Sequence, residues 1–161
     1  MTMLPRRVFP FALAAAGSAF GVAAPMPARA QTCAAPIQVS ASTTFTASTC
    51  DGTNDLPYIS SGTAVNRGPD VVYQLTVPPP WPQSSAVLQP EPGLDLALFQ
   101  CVGHCSTFAT CFSWIDNGPG NENMLTLEPG YDLFLVVAHP AEAAPMCGNY
   151  SLKITYPPDG G

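Results

Sequence analysis

The chain has little positive charge, only two histidines and no helical pattern. Five Lys and Arg residues stand against eleven Asp and Glu in 161 residues. Three of the five, Arg6, Arg7 and Arg29, lie in the first thirty residues. The remainder keeps Arg67 and Lys153 with all eleven acids, a formal charge of −9. Such a surface repels phosphate backbones and anionic lipid, so nucleic-acid binding and electrostatic attachment to membranes are disfavoured. His104 and His139 are the only imidazoles, neither stands in a recognisable catalytic motif, and there is no Gly-x-Ser-x-Gly elbow to present a nucleophile. Past the first thirty residues no apolar period of 3.6 is sustained for ten residues, which argues against a helical domain.

The N-terminus has the order of an export signal. Arg6 and Arg7 precede an apolar run over 8–24, and Ala28-Arg29-Ala30 supplies small residues at a cleavage site. The run is too short and too rich in Ala and Gly for a spanning helix, so no membrane span is expected in the mature chain. Arg6-Arg7-Val8-Phe9 also fits a twin-arginine signal, and the two export routes stay open. The expected organisation is a signal over 1–30 and a single domain over 31–161 with a loose tail after Pro157. The expected location is periplasmic or extracellular.

Six cysteines, Cys33, Cys50, Cys101, Cys105, Cys111 and Cys147, follow the leader. An even count in an exported chain reads as three disulfides. Cys105 with Cys111 is the preferred local pair, with Cys33–Cys50 and Cys101–Cys147 completing the set. Cys101, His104, Cys105 and Cys111 match neither zinc-finger nor haem-attachment spacing, so disulfides are preferred to a metal.

Past the leader, short apolar stretches alternate with turn residues. Val71, Tyr73, Leu75 and Val77 share one face of a strand and Val72, Gln74 and Thr76 the other, behind a turn at Gly68-Pro69. Strands are predicted over 36–42, 43–49, 70–77, 84–89, 94–101, 108–115, 123–127, 131–138 and 149–156. Those at 94–101 and 131–138 carry apolar residues on both faces, as central strands do. The last alternates cleanly and should have one wet face. The fold class is therefore all-β, an antiparallel sandwich or jelly roll of eight or nine strands. The connection over 51–68 and the Pro78-Pro79-Pro80-Trp81-Pro82 stretch are read as surface loops.

Four segments together resemble the bacterial pre-peptidase C-terminal domain family, small secreted β-sandwiches often appended to exported enzymes. They are Gly68-Pro69-Asp70-Val71-Val72-Tyr73, Leu94-Asp95-Leu96-Ala97-Leu98, the 129–137 stretch around Gly130-Tyr131, and Gly148-Asn149-Tyr150-Ser151-Leu152-Lys153-Ile154. The resemblance implies a β-sandwich accessory domain. It covers most of the mature chain, carries no catalytic motif, and departs from the family in standing without a larger enzyme and in having Ala138 where an acidic residue is usual.

Three sets of residues carry candidate chemistry. Asp116, Asn121 and Glu122, around Gly118 and Gly120, offer hard oxygens of the kind Ca²⁺ prefers, although Asp, Asn and Gly also build ordinary turns. The 51–55 loop offers a second, weaker set. Trp81 and Tyr58, both in predicted loops, could stack on a sugar or anchor a protein. Trp114 is expected in the core, and His139, before Pro140 at a strand end, in a solvated loop. The reading that follows is an exported, non-catalytic binding or accessory module for an extracytoplasmic protein or polysaccharide, with no certain cofactor beyond a candidate Ca²⁺. A structural envelope protein without a small ligand and a small secreted hydrolase are the alternatives.

Overall fold

The computed structural model describes residues 32–56, 58–60, 68–76, 84–103, 105, 108–128, 130, 132–140 and 146–157. The leader, Trp81 and His104 lie outside them, and so do the side chains of Tyr58 and Phe108. Among the described residues ten strands form: β1 (Ile37–Val39), β2 (Thr43–Ser48), β3 (Tyr58–Ser60), β4 (Val71–Leu75), β5 (Ser85–Pro90), β6 (Ala97–Val102), β7 (Phe108–Ile115), β8 (Asn123–Thr126), β9 (Leu133–Ala138) and β10 (Asn149–Thr155). They build a six-stranded sheet in the order β1-β4-β9-β6-β7-β3 and a four-stranded sheet in the order β2-β10-β5-β8. Most pairings are antiparallel, but β1 runs parallel to β4 and β3 parallel to β7. The result is the disulfide-stabilised β-sandwich that the alternation predicts.

Two apolar layers hold it. The main core lies between the sheets, where Val71, Tyr73, Leu75, Leu133, Leu135 and Val137 face Leu88, Leu152 and Ile154. At its centre the Tyr73 and Tyr150 hydroxyls share a 2.9 Å hydrogen bond, and Phe45 tilts against the Tyr73 ring at 5.0 Å between centroids. The second layer covers the outer face of the six-stranded sheet, where Val72, Phe99, Phe134 and Val136 pack with Leu56 and with Cys33, Cys101, Cys105 and Cys111. That is why β6 and β9 are apolar on both faces: both strands are buried on either side, except Val102 at the end of β6. β10 buries alternate residues and leaves its other face wet.

The cover over that outer face comes from the segment read as a surface loop. Thr53 bridges Asp70, the Leu56 amide donates to Asp70 Oδ2 at 2.9 Å, and Leu56 is fully buried. Two residues further on, β3 joins the sheet beside β7. The 51–68 connection is therefore a surface loop only in part: Asp51, Thr53 and Asn54 are exposed as expected, whereas Leu56 is buried and β3 enters the sheet. The Gly52 amide donates to the Thr49 carbonyl, the Thr53 carbonyl accepts from the Asp70 amide, and the buried Leu56 anchors the segment.

The cysteines are all disulfide-bonded, but the partners differ from those expected on sequence spacing: Cys33–Cys105, Cys50–Cys147 and Cys101–Cys111. Register decides each pair. Cys101 and Cys111 face each other across the β6–β7 hairpin, at a bulge between Gln100 and Cys101. Cys105, in the hairpin's turn, is left to hold the Cys33 segment, whose amide also donates to Asp55. Asn149 pairs with Ser48, which sets Cys147 and Cys50 side by side at one end of the four-stranded sheet.

Candidate functional site

The most distinctive surface lies on the β6–β7 hairpin. Trp114 stands opposite Phe99 in the ladder, and their rings stack with centroids 6.0 Å apart and planes inclined by 16°. Phe99 belongs to the outer-face core and is buried, whereas Trp114 is 45% exposed. The indole is thus held from below and open above. Trp114 is therefore not the core residue its neighbours suggest: the outer-face cluster takes in Phe99 and, on β7, Cys111, but not Trp114. Phe112 and Val102 are exposed on the same hairpin. Phe112 owes its position to the bulge, since Gln100 pairs with Ser113 and Cys101 with Cys111, leaving Phe112 as the extra residue.

Beyond this aromatic pair, two carboxyl groups meet. Asp116 follows Trp114 by two residues, on the same side of the extended chain and about 7 Å along it at ~3.3 Å per residue. Asp95 precedes Ala97 and Phe99 with the same alternation, because Leu94, Leu96 and Leu98 all enter the intersheet core. Burial raises the pKa of Asp95, and so do the neighbouring charge of Asp116 and a hydrogen bond between the two carboxyls. Asp95 Oδ1 is buried and has no hydrogen-bond partner among the described residues. Asp116 Oδ1 accepts from the Gly118 amide at 2.8 Å. Chemically the pair is a strong acceptor site that, when it holds a proton, donates as well.

The loop beyond Asp116 is closed by its own hydrogen bonds. The Asn117 side chain donates to the Glu122 carbonyl and the Asn121 side chain to the Asn117 carbonyl, each at 2.7 Å. Asn123, fully buried, accepts from the Asn117 amide and donates to the Leu96 carbonyl at 2.6 Å, fastening the loop to the start of β6. Of the three candidate calcium ligands, Asp116 meets Asp95, Asn121 bonds within the turn, and Glu122 is exposed. No group of three His, Cys, Asp or Glu side chains among the described residues is arranged to hold a metal ion.

His139 is not a solvated loop residue. It is 1% exposed, because β9 lies between β4 and β6 and its ring closes over Gly68 at the mouth of the core. A Cβ on residue 68 would stand 2.6 Å from the ring's Cδ2, so glycine is required there by this close approach. Neither ring nitrogen makes a well-formed hydrogen bond among the described residues. Burial lowers its pKa, and the nearby Asp95 carbonyl opposes that shift without reversing it. Asp70 is buried too, but its carboxylate serves the backbone of Leu56.

Sequence reasoning nominated Trp81 and Tyr58 as aromatic contacts. Trp81 lies outside the described residues, and for Tyr58 only the backbone is placed, paired with Phe108. It missed Asp95, Phe112 and the exposure of Trp114. The signal present was a charged residue inside an apolar run, Leu94-Asp95-Leu96, but its partner across the sheet depends on register.

No protein-family model, curated protein or solved structure matches this chain. The site must be read from its own chemistry.

Proposed function

We propose that the chain is an exported, non-catalytic binding or accessory module for an extracytoplasmic protein or polysaccharide. The observation that carries the reading is the exposed Trp114 indole, stacked on a buried Phe99 within a disulfide-bonded sheet. An aromatic ring fixed in this way contacts a ligand with little loss of side-chain entropy, and such rings are enriched where proteins bind partners. Three disulfides suit an oxidising compartment outside the cytoplasm. No described helix is long and apolar enough to cross a membrane. The resemblance to pre-peptidase C-terminal domains, which accompany exported enzymes, points to an accessory role as well.

The test is a binding survey of the mature protein against extracellular polysaccharides and proteins, read by Trp114 emission in a Trp81→Phe background. A ligand that perturbs the emission should lose affinity at least tenfold with Trp114→Ala, at unchanged melting temperature. Full binding by Trp114→Ala would overturn the reading.

A further inference from the structure

Resting on that reading, we infer that the Trp114 surface takes a cationic side chain of an extracellular polypeptide, an arginine or lysine laid over the indole with its charge at the Asp95–Asp116 pair. Charge complementarity is the main ground. Among the described residues Lys153 is the sole Lys or Arg, and it sits on the outer face of the other sheet. The aromatic hairpin therefore has no basic side chain of its own among the described residues to neutralise the pair.

The two carboxyls repel each other when both are ionised, and because Asp95 Oδ1 is itself buried, an incoming group meets the remaining carboxyl oxygens. A guanidinium or ammonium group supplies both the missing charge and donors for the carboxyl oxygens that remain accessible. The indole face, about 7 Å away along β7, is where the planar guanidinium or the alkyl stem of the same side chain would rest. Phe112, exposed two residues before Trp114, extends the apolar contact for flanking residues. A neutral sugar would satisfy the ring but not the charge pair, and an anionic polysaccharide would meet repulsion from both carboxylates.

The probes are short Gly-Ser peptides carrying either two arginines or two citrullines, which are similar in shape but neutral, together with a neutral cello-oligosaccharide. They are titrated against the mature protein while the Trp114 indole NH is followed by NMR. The arginine peptide should bind at least tenfold more tightly than the citrulline peptide and weaken severalfold as salt rises from low to high. Asp95→Asn and Asp116→Asn should each reduce arginine affinity at least fivefold and leave citrulline binding unchanged. Asn at either position keeps an acceptor oxygen, and unchanged melting would show that the fold survives. Trp114→Phe should retain part of the binding that Trp114→Ala loses.

Equal affinity for the two peptides, or indifference to both Asn variants, would overturn the inference. So would calcium chloride alone, at matched ionic strength, shifting Asp95 and Asp116 and displacing the peptide. If the oligosaccharide saturates the Trp114 signal and the arginine peptide does not, the inference fails while the binding reading stands. If no probe moves Trp114 and the wider survey is also silent, both fall.

Discussion

The hydroxyl of Tyr73 on β4 meets that of Tyr150 on β10 at 2.9 Å, joining the two sheets by a polar contact inside an apolar core. Both side chains are buried, and among the described residues the two hydroxyls have only each other as hydrogen-bond partner. Tyr73→Phe or Tyr150→Phe alone strands the other hydroxyl and should destabilise the domain by roughly 1–3 kcal/mol. The double Phe variant should recover most of that loss. A double-mutant cycle in denaturant measures the coupling.

Burial raises the pKa of both phenols, and of Tyr156 as well. Because the folded state holds these protons more tightly than the unfolded state, their contribution is complete below pH ~10, the ordinary tyrosine value, and is lost as pH rises beyond it. Absorbance at 295 nm should therefore show Tyr73 and Tyr150 titrating only as the protein unfolds. In the double Phe variant alkaline unfolding should shift to higher pH.

His139 gives the opposite slope at the acid end. Its lowered pKa means that the unfolded chain takes up the proton first, so stability should fall as pH drops below ~6.5 and level off once the folded ring also protonates. Replacing His139 with Leu should flatten that part of the profile. Asp95 acts differently. Its raised pKa makes the ionised pair with Asp116 a source of strain at neutral pH, and relief comes as pH falls through its own titration. Asp95→Asn should leave neutral-pH stability unchanged or slightly higher, as thermal melts at pH 7 would show.

Gly68 and His139 form a steric pair. Gly68→Ala places a methyl group against the imidazole and should cost on the order of 1–3 kcal/mol, typical of an overpacked core position. Combining it with His139→Ala should restore part of the loss. Equal penalties in both backgrounds would show that the close approach does not set the requirement for glycine.

Non-reducing digestion followed by mass spectrometry should recover Cys33–Cys105, Cys50–Cys147 and Cys101–Cys111 as linked peptides. Removing Cys50–Cys147, which spans 97 residues, should cost roughly 2–5 kcal/mol. The same experiment on Cys105→Ser should release Cys33 as a free thiol and leave the other two bridges intact.

Most of the fold was legible in the chain itself. Period-two alternation located nine of the strands, with β7 matching over all of 108–115, because burying one face of a sheet imposes a pattern that sequence displays directly. The doubly apolar runs of β6 and β9 marked them as central, and the even cysteine count indicated full pairing. What alternation could not convey was which strand lies beside which. β3 escaped notice because three residues pairing in parallel with β7 leave almost no periodic trace, and Leu56 is a single apolar residue in a polar segment.

The candidate site belongs wholly to that second category. Asp95 and Asp116 are twenty-one positions apart, and nothing local announces that the β6–β7 register brings their carboxyls together. Trp114 reads as a core residue from its neighbours, yet its exposure is decided by where the cover over Phe99 ends. The cystine partners likewise follow register and the bulge at Cys101 rather than chain spacing. Local composition determined secondary structure because each residue's burial preference acts within its own strand. Partnership across strands was decided only by the tertiary structure, because it depends on the packing of every other element at once.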